Sequence, residues 1–347
     1  MMKRKLILLT FIVCVSGSAF AQIDKHFSMY DQTKIQINPA AAGFFDAKYK
    51  VFANYREQWR PATDPPLQTY SATFDTRLYE DRRKGKYVGA GLILSNDVGG
   101  DGSYTQLQVA VPINYSLRIG ELHYLSFGIS PGYFQRSVES SDLVWSSQWE
   151  EGIGFDNTLQ SGELLLNDRY SVGAFDIGAG LYYEYAVDEY RFMTVGVSSG
   201  HLTRPKVQYT SVDERMSRTL NFHYFGNFGK ADFPLTFKPS VMWGIQGPNQ
   251  YLVFGSRFDI LLSRGDSQYT GYYNRTSIEI GAHFRMQDAL IASCALNKGG
   301  FTAGVSYDFT MSQMRTITKS QGATEFFISY KMGKSKGRGQ LDISEDE

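Results

Sequence analysis

The residues able to do chemistry are few, and their spacing limits what they can do. "GISPG" at 128–132 fits the G-x-S-x-G pattern of a nucleophile elbow. That elbow needs a strained strand-to-helix turn. Here Leu125, Phe127 and Ile129 alternate with Ser126, Gly128 and Ser130, so the stretch reads as a strand and the match as chance. The five histidines, His26, His123, His201, His223 and His283, form neither H-E-x-x-H nor another metal-ligand spacing. "NDVGGDGS" at 96–103 lacks the Lys of a phosphate loop and the closing Glu of a calcium loop, and reads as a hairpin turn. "RGD" at 264–266 reads as a turn, and "NRT" at 274–276 falls in an expected strand. No acid, base and nucleophile converge. The chain is not expected to be an enzyme, and no metal or cofactor is expected.

If chemistry does not define the protein, its elements must. The chain opens MMKRKLILLTFIVCVSGSAFAQ, with a basic head, an apolar run from Leu6 to Val15 and an A-x-A site at Ala19–Ala21. Residues 1–21 read as a cleaved secretory signal peptide, too short to span a membrane as a helix. Past it only Cys294 remains, so no intramolecular disulfide is possible. The 35 basic and 35 acidic residues cancel, which removes the global basic field expected of a nucleic-acid binder. No later stretch is long and apolar enough for a membrane helix. A mean hydropathy of −0.29 still suits a membrane β-barrel, where alternate residues face lipid.

Period-two alternation dominates. In 235–246, Leu235, Phe237, Pro239, Val241, Trp243 and Ile245 share one face. Thr236, Lys238, Ser240, Met242, Gly244 and Gln246 share the other. The runs 105–118 and 301–310 behave alike. Fourteen strands are expected, near 48–56, 68–76, 87–95, 104–118, 122–135, 172–186, 190–199, 219–229, 234–246, 250–264, 272–286, 288–295, 300–310 and 323–333. Many exceed the ~5–6 residues of soluble strands and reach the ~9–11 that cross a bilayer. The longest links, 57–67, 96–103, 136–171, 200–218 and 311–322, all join an odd strand to the next even one. Long loops at one end and tight turns at the other are a barrel's asymmetry; 77–86 and 265–271 fit it less well. Tyr49, Tyr55, Tyr182, Tyr183, Tyr272, Tyr273 and Tyr330 near strand ends would form interfacial girdles. The fold class is therefore all-β: a transmembrane antiparallel up-and-down barrel spanning 48–333.

The polar faces carry both charges: Arg118, Asp176, Glu184, Lys238, Arg257, Asp259, Arg275, Glu279, Arg285, Asp308 and Lys331. An ion-selective pore would favour one sign; both suggest a braced or plugged lumen. Residues 22–47 supply a candidate plug. Phe27 and Tyr30 lie outside any strand, Asn38 and Pro39 can start a helical turn, and Gly43 can end it. In loop 136–171, Trp145, Trp149, Glu150, Glu151 and Phe155 are candidates for gripping a protein partner. Residues 334–347 form a polar tail, expected in the periplasm.

Several stretches resemble the PorP/SprF family of type IX secretion system outer-membrane proteins. They are "HFSMYDQTKIQINPAAAG" (26–43), "NYREQWR" (54–60), "SNDVGG" (95–100), "GVSYDFT" (304–310) and "GATEFFISY" (322–330). Met29 and Ala41 stand where the family often has Gln and Tyr, and the last strand runs into a polar tail. The resemblance implies an outer-membrane barrel, surrounded by lipid, that works with type IX secretion components. Its implied role is secretion or surface display of large cargo proteins such as gliding adhesins, without catalytic residues. A diffusion porin or small-solute channel is the alternative.

Overall fold

The computed structural model describes residues 25–81, 85–100, 104–139, 143, 145–156, 158–159, 169–188, 190–206, 215–230, 233–263 and 275–333. The segment 1–21 expected to be a signal peptide, the expected tail 334–347, the stretch 264–266 expected to turn, Tyr272, Tyr273 and Asn274 lie outside them.

Alternating sequence becomes alternating exposure. The strands are β1 (Tyr49–Gln58), β2 (Leu67–Asp81), β3 (Lys86–Gly99) and β4 in two segments (Tyr104–Ala110, Ile113–Arg118). They continue as β5 (His123–Glu139), β6 (Arg169–Ala186), β7 (Arg191–Gly200), β8 (Thr219–Phe228) and β9 (Leu235–Gln246). The last five are β10 (Asn249–Ser263), β11 (Thr276–Arg285), β12 (Ala289–Lys298), β13 (Phe301–Thr310) and β14 (Gln321–Met332). Each pairs antiparallel with its sequence neighbours. β1 closes on β14, with Tyr49 opposite Met332 and Gln58 opposite Ala323. The result is a closed 14-strand barrel. Closure leaves no sheet edge, the condition for β-structure inside a bilayer.

The two faces invert the usual rule of burial. On β9, Phe237, Val241 and Trp243 are exposed outward, whereas Thr236, Ser240 and Met242 are buried inward. Phe175 on β6 is 81% exposed, while its neighbour Asp176 is 8% exposed. An apolar outer belt around a polar interior is stable only where lipid covers the belt.

Differences from the expected strands are local. β2 extends to Asp81, so most of the 77–86 link is strand. β5 and β6 likewise shorten the 136–171 loop to 140–168. β11 begins at Thr276, so Arg275 precedes the strand expected from 272. β4 breaks at Val111–Pro112 because Pro112 has no N–H for the ladder. Neighbouring bonds survive there: the Val111 N–H donates to the Pro131 carbonyl, and the Gly91 N–H to the Pro112 carbonyl, both at 2.9 Å. Tyr182 faces inward, 1% exposed, where a girdle residue was expected; its hydroxyl donates to Thr194 Oγ1 at 3.0 Å.

Candidate functional site

Residues 25–48 lie inside the barrel. Locally they form a 3-10 turn (Tyr30–Gln32), a helical turn (Lys34–Ile37) and a second 3-10 turn (Pro39–Ala41). Each is too short to persist alone. Asn38 is extended, at φ −141°, and its side-chain oxygen accepts the Ala40 N–H at 2.9 Å. This is an N-cap with Pro at the first helical position. Gly43 sits at φ +73°, a conformation that favours glycine.

The wall supplies the burial these turns lack, through contacts spread around the barrel. Ser28 and Met29 donate backbone N–H groups to Glu325 on β14, at 2.7 and 3.3 Å. Met29 packs with Phe52, Ala295 and Phe327. The Tyr30 hydroxyl meets Ser240 Oγ on β9 at 2.8 Å. Gln36 donates to Ser71 on β2 at 2.6 Å, and Ser198 on β7 donates to the Ile37 carbonyl at 2.6 Å. Asn114 on β4 donates to the Ala40 carbonyl at 2.8 Å, and the Gly43 N–H donates to Asp75 on β2 at 2.6 Å.

Inward glycines make the room. A methyl at Gly89 would overlap the Ala42 carbonyl; at Gly128, the Pro39–Ala40 peptide; at Gly180, the Asn38 amide; at Gly196, the His223 ring and then the Asn38 amide. At Gly91 it would overlap Ile35. Strands β3, β5, β6 and β7 thus form a recess shaped for residues 35–42.

Two charge networks border the segment. Arg56 pairs with Asp308 at 3.0 Å and Glu325 at 3.5 Å; Arg285 pairs with Asp308 at 2.6 Å. The Ser28 hydroxyl donates to Asp308 at 2.6 Å and also contacts Arg56. In the second network Lys238 holds Asp259 at 2.9 Å and Glu279 at 2.7 Å. Arg257 reaches Glu279 at 3.6 Å, and Arg275 reaches Asp259 at 3.6 Å. Arg257 also binds Asp31 of the segment. Three cations then face three acids, and Asp31 is the acid that completes the balance. Buried charge is tolerated only when paired in this way.

A vestibule of about 1620 Å³ lies on the side of the segment nearer the 187–190 and 299–300 links. Across the segment lies a smaller space of about 170 Å³. The segment contributes lining to both spaces, Ile35 among them.

The five segment residues singled out by sequence come together here. Tyr30, Asn38, Pro39 and Gly43 are buried, and Phe27 is half-buried beside the smaller space. Most inner charges expected from sequence also meet, but Arg118 turns onto the carbonyls of Gly120 and Glu121 at its strand end. Sequence reasoning missed Ser28, Arg56, Asn114, His223, Glu325 and the glycine recess. Arg56 and Glu325 lie on polar strand faces, so their inward direction was available from alternation; their meeting was not.

The loop candidates occupy the opposite end of the barrel from the 187–190 link. Trp149–Glu150 pairs with Gly154–Phe155 in a small hairpin, and the Trp149 and Phe155 rings meet edge-to-face at 4.9 Å. Both are exposed, as are Glu150, Glu151 and Ile153, whereas Trp145 is half-buried. Gln148 braces the tip: its amide oxygen accepts the Trp145 N–H at 3.0 Å and its amide nitrogen donates to the Leu159 carbonyl at 2.9 Å. Asp156 accepts the Thr158 hydroxyl at 2.6 Å and N–H at 2.8 Å, which holds its carboxyl below the usual carboxylate range.

Residues 19–330 match the family model described as type IX secretion system membrane protein PorP/SprF. No curated protein matches the chain. Among solved structures, a Pseudomonas aeruginosa FadL homologue is similar at 11% identity and TM-score 0.46, over 85% of this chain and 92% of that one. The CymD monoaromatic hydrocarbon channel is similar at 10% identity and TM-score 0.49, over 92% and 96%.

Proposed function

Because the chain belongs to the PorP/SprF family of type IX secretion system membrane proteins, we propose that it serves secretion as a closed outer-membrane barrel that binds protein partners rather than as a conduit. The observation that carries this reading is the position of residues 25–48, bonded across the lumen and seated against wall glycines. A folded domain cannot pass an occupied lumen of this kind. In this reading the segment is a plug, and the long-loop end faces outward. The Trp149–Phe155 hairpin grips a secreted cargo protein such as an adhesin, with Trp145, Glu150 and Glu151 around it. Exposed aromatics beside acids suit a protein interface. The vestibule opens to the periplasm, where the secretion apparatus can reach it.

The test is affinity purification of a tagged chain from outer membranes, followed by mass spectrometry. Co-purification of secretion components and a large secreted protein supports the reading. A chain that purifies alone and conducts small solutes steadily is a diffusion porin, and the reading fails.

A further inference from the structure

The vestibule carries more positive than negative charge. Among the described residues, eight lysines and arginines line it against six aspartates and glutamates. Most of these cations are engaged. Lys238, Arg257 and Arg275 belong to the second network, Arg191 holds Asp188 at 2.6 Å, and Lys50 donates to the Gln32 carbonyl at 2.7 Å. Lys34 lies over the Phe225 ring, 4.9 Å from its centre. The excess sits at Lys230 and Lys331. Both are exposed, and among the described residues neither side chain has an ion pair or hydrogen bond.

Their placement says what would fit them. Lys331 stands directly opposite Lys50 across the β1–β14 pairing, and on its other side its N–H meets the Gly300 carbonyl, so no acid flanks it. Like charges facing each other across strands repel. Lys230 follows β8, and β8 lies six strands from β14 in a ring of fourteen. The two lysines therefore enter the vestibule from nearly opposite walls. An extended chain with several carboxylates can engage both at once, which a single small anion cannot. The volume, about 1620 Å³, exceeds the ~300–1,000 Å³ of a small-molecule cleft.

A chain of that kind starts at the rim. Lys331, Met332 and Gly333 line the vestibule, and KSKGRGQLDISEDE follows. Gly333 takes φ +78°, so the backbone turns as it leaves β14. The excess repels Lys334, Lys336 and Arg338 but matches Asp342, Glu345, Asp346 and Glu347. Eight residues separate Gly333 from Asp342, a reach of up to about 26 Å. Tethering sets the effective concentration on the order of millimolar, so weak intrinsic affinity suffices. We propose that the vestibule is a docking site for an acidic peptide and that residues 342–347 of this chain occupy it, with carboxylates on Lys230 and Lys331. Docking of the tail keeps other acidic chains out of the vestibule.

The test treats the full chain in lipid nanodiscs with a zero-length carbodiimide, which joins a carboxylate to a lysine only where the two touch, and maps the products by mass spectrometry. Exposed Lys48 is the internal reference, since it adjoins Gly333 but does not line the vestibule. A docked tail couples Glu345, Asp346 or Glu347 to Lys230 at least about threefold more than to Lys48. Raising salt from about 0.1 M to 1 M cuts that coupling severalfold, as the screening length falls from ~10 Å to ~3 Å. Excess free QLDISEDE peptide competes it away. Lys331→Gln lowers coupling at Lys230 by about two- to fivefold, the worth of one exposed pair. Coupling at Lys48 equal to or above that at Lys230 means an undocked tail and overturns the proposal, as does coupling that neither salt nor Lys331→Gln changes. Lys230 coupled instead to the acids of a co-purified protein gives the vestibule to a partner and overturns it too.

Discussion

Asn38 Nδ2 lies 3.0 Å from His223 Nε2, while the same side chain's oxygen caps the Pro39–Ala41 turn. One amide thus forms the turn and fixes it to the wall, and its nitrogen also donates to the Leu181 carbonyl at 2.8 Å. Local folding and docking are the same event at this residue.

Asn38→Ala removes the cap and the wall bonds to Leu181, Val197 and His223. Loss of the cap costs about 1 kcal/mol and each buried bond about 1 kcal/mol more. Seating of the segment should weaken by about 2–4 kcal/mol. Limited proteolysis of folded barrels checks this: cleavage within 25–44 should accelerate while the strands stay protected. Unchanged protection would show that Asn38 does not hold the segment.

Gly180 and Gly178 occupy the same strand and separate the recess from its surroundings. A methyl at Gly180 overlaps Asn38; at Gly178 its nearest contact is an ordinary 3.4 Å. Gly180→Ala should expose the segment to protease, and Gly178→Ala should not. Overpacking of this kind typically costs about 1–3 kcal/mol. Equal behaviour of the two variants would remove the recess from the account.

Glu325 accepts two segment N–H groups and pairs with Arg56 in a buried network. Glu325→Gln leaves Arg56 and Arg285 facing Asp308 and partly exposed Asp288. Breaking a buried pair from one side costs about 3–5 kcal/mol. Heat-modified gel mobility, which reports barrel unfolding, should shift to lower temperature. A wild-type unfolding temperature would mean the network contributes nothing.

The hairpin prediction has the opposite signature. Trp149→Ala with Phe155→Ala removes exposed rings, so the barrel's unfolding temperature should hold. Capture of the secreted partner should fall by about 2 kcal/mol or more, as at interface hot spots. Undiminished capture would show that partners bind elsewhere.

The barrel was legible because each strand records its orientation locally, residue by residue. Phe237, Val241 and Trp243 declare lipid, and Thr236 and Ser240 the interior, without reference to any distant residue. Asn38, Pro39 and Gly43 were legible for the same reason, since a cap and a turn are local chemistry. The seat was not. Gly128 and Gly180 look like any strand glycines until Ala40 and Asn38 lie against them. Ser28 and Glu325 meet across 297 positions, and nothing in either neighbourhood announces the other. Tyr182 misled because a tyrosine near a strand end suits a lipid interface and a lumen equally, and Phe44, its partner at 4.7 Å, lies outside the wall.

Single-channel conductance in planar bilayers, comparing the full chain with one lacking residues 25–44, bears most directly on the closed lumen. The full chain should hold near zero current, and the shortened chain should give large steady steps from an otherwise intact barrel. Steady conductance of the same size from both would mean that the inner segment does not close the lumen.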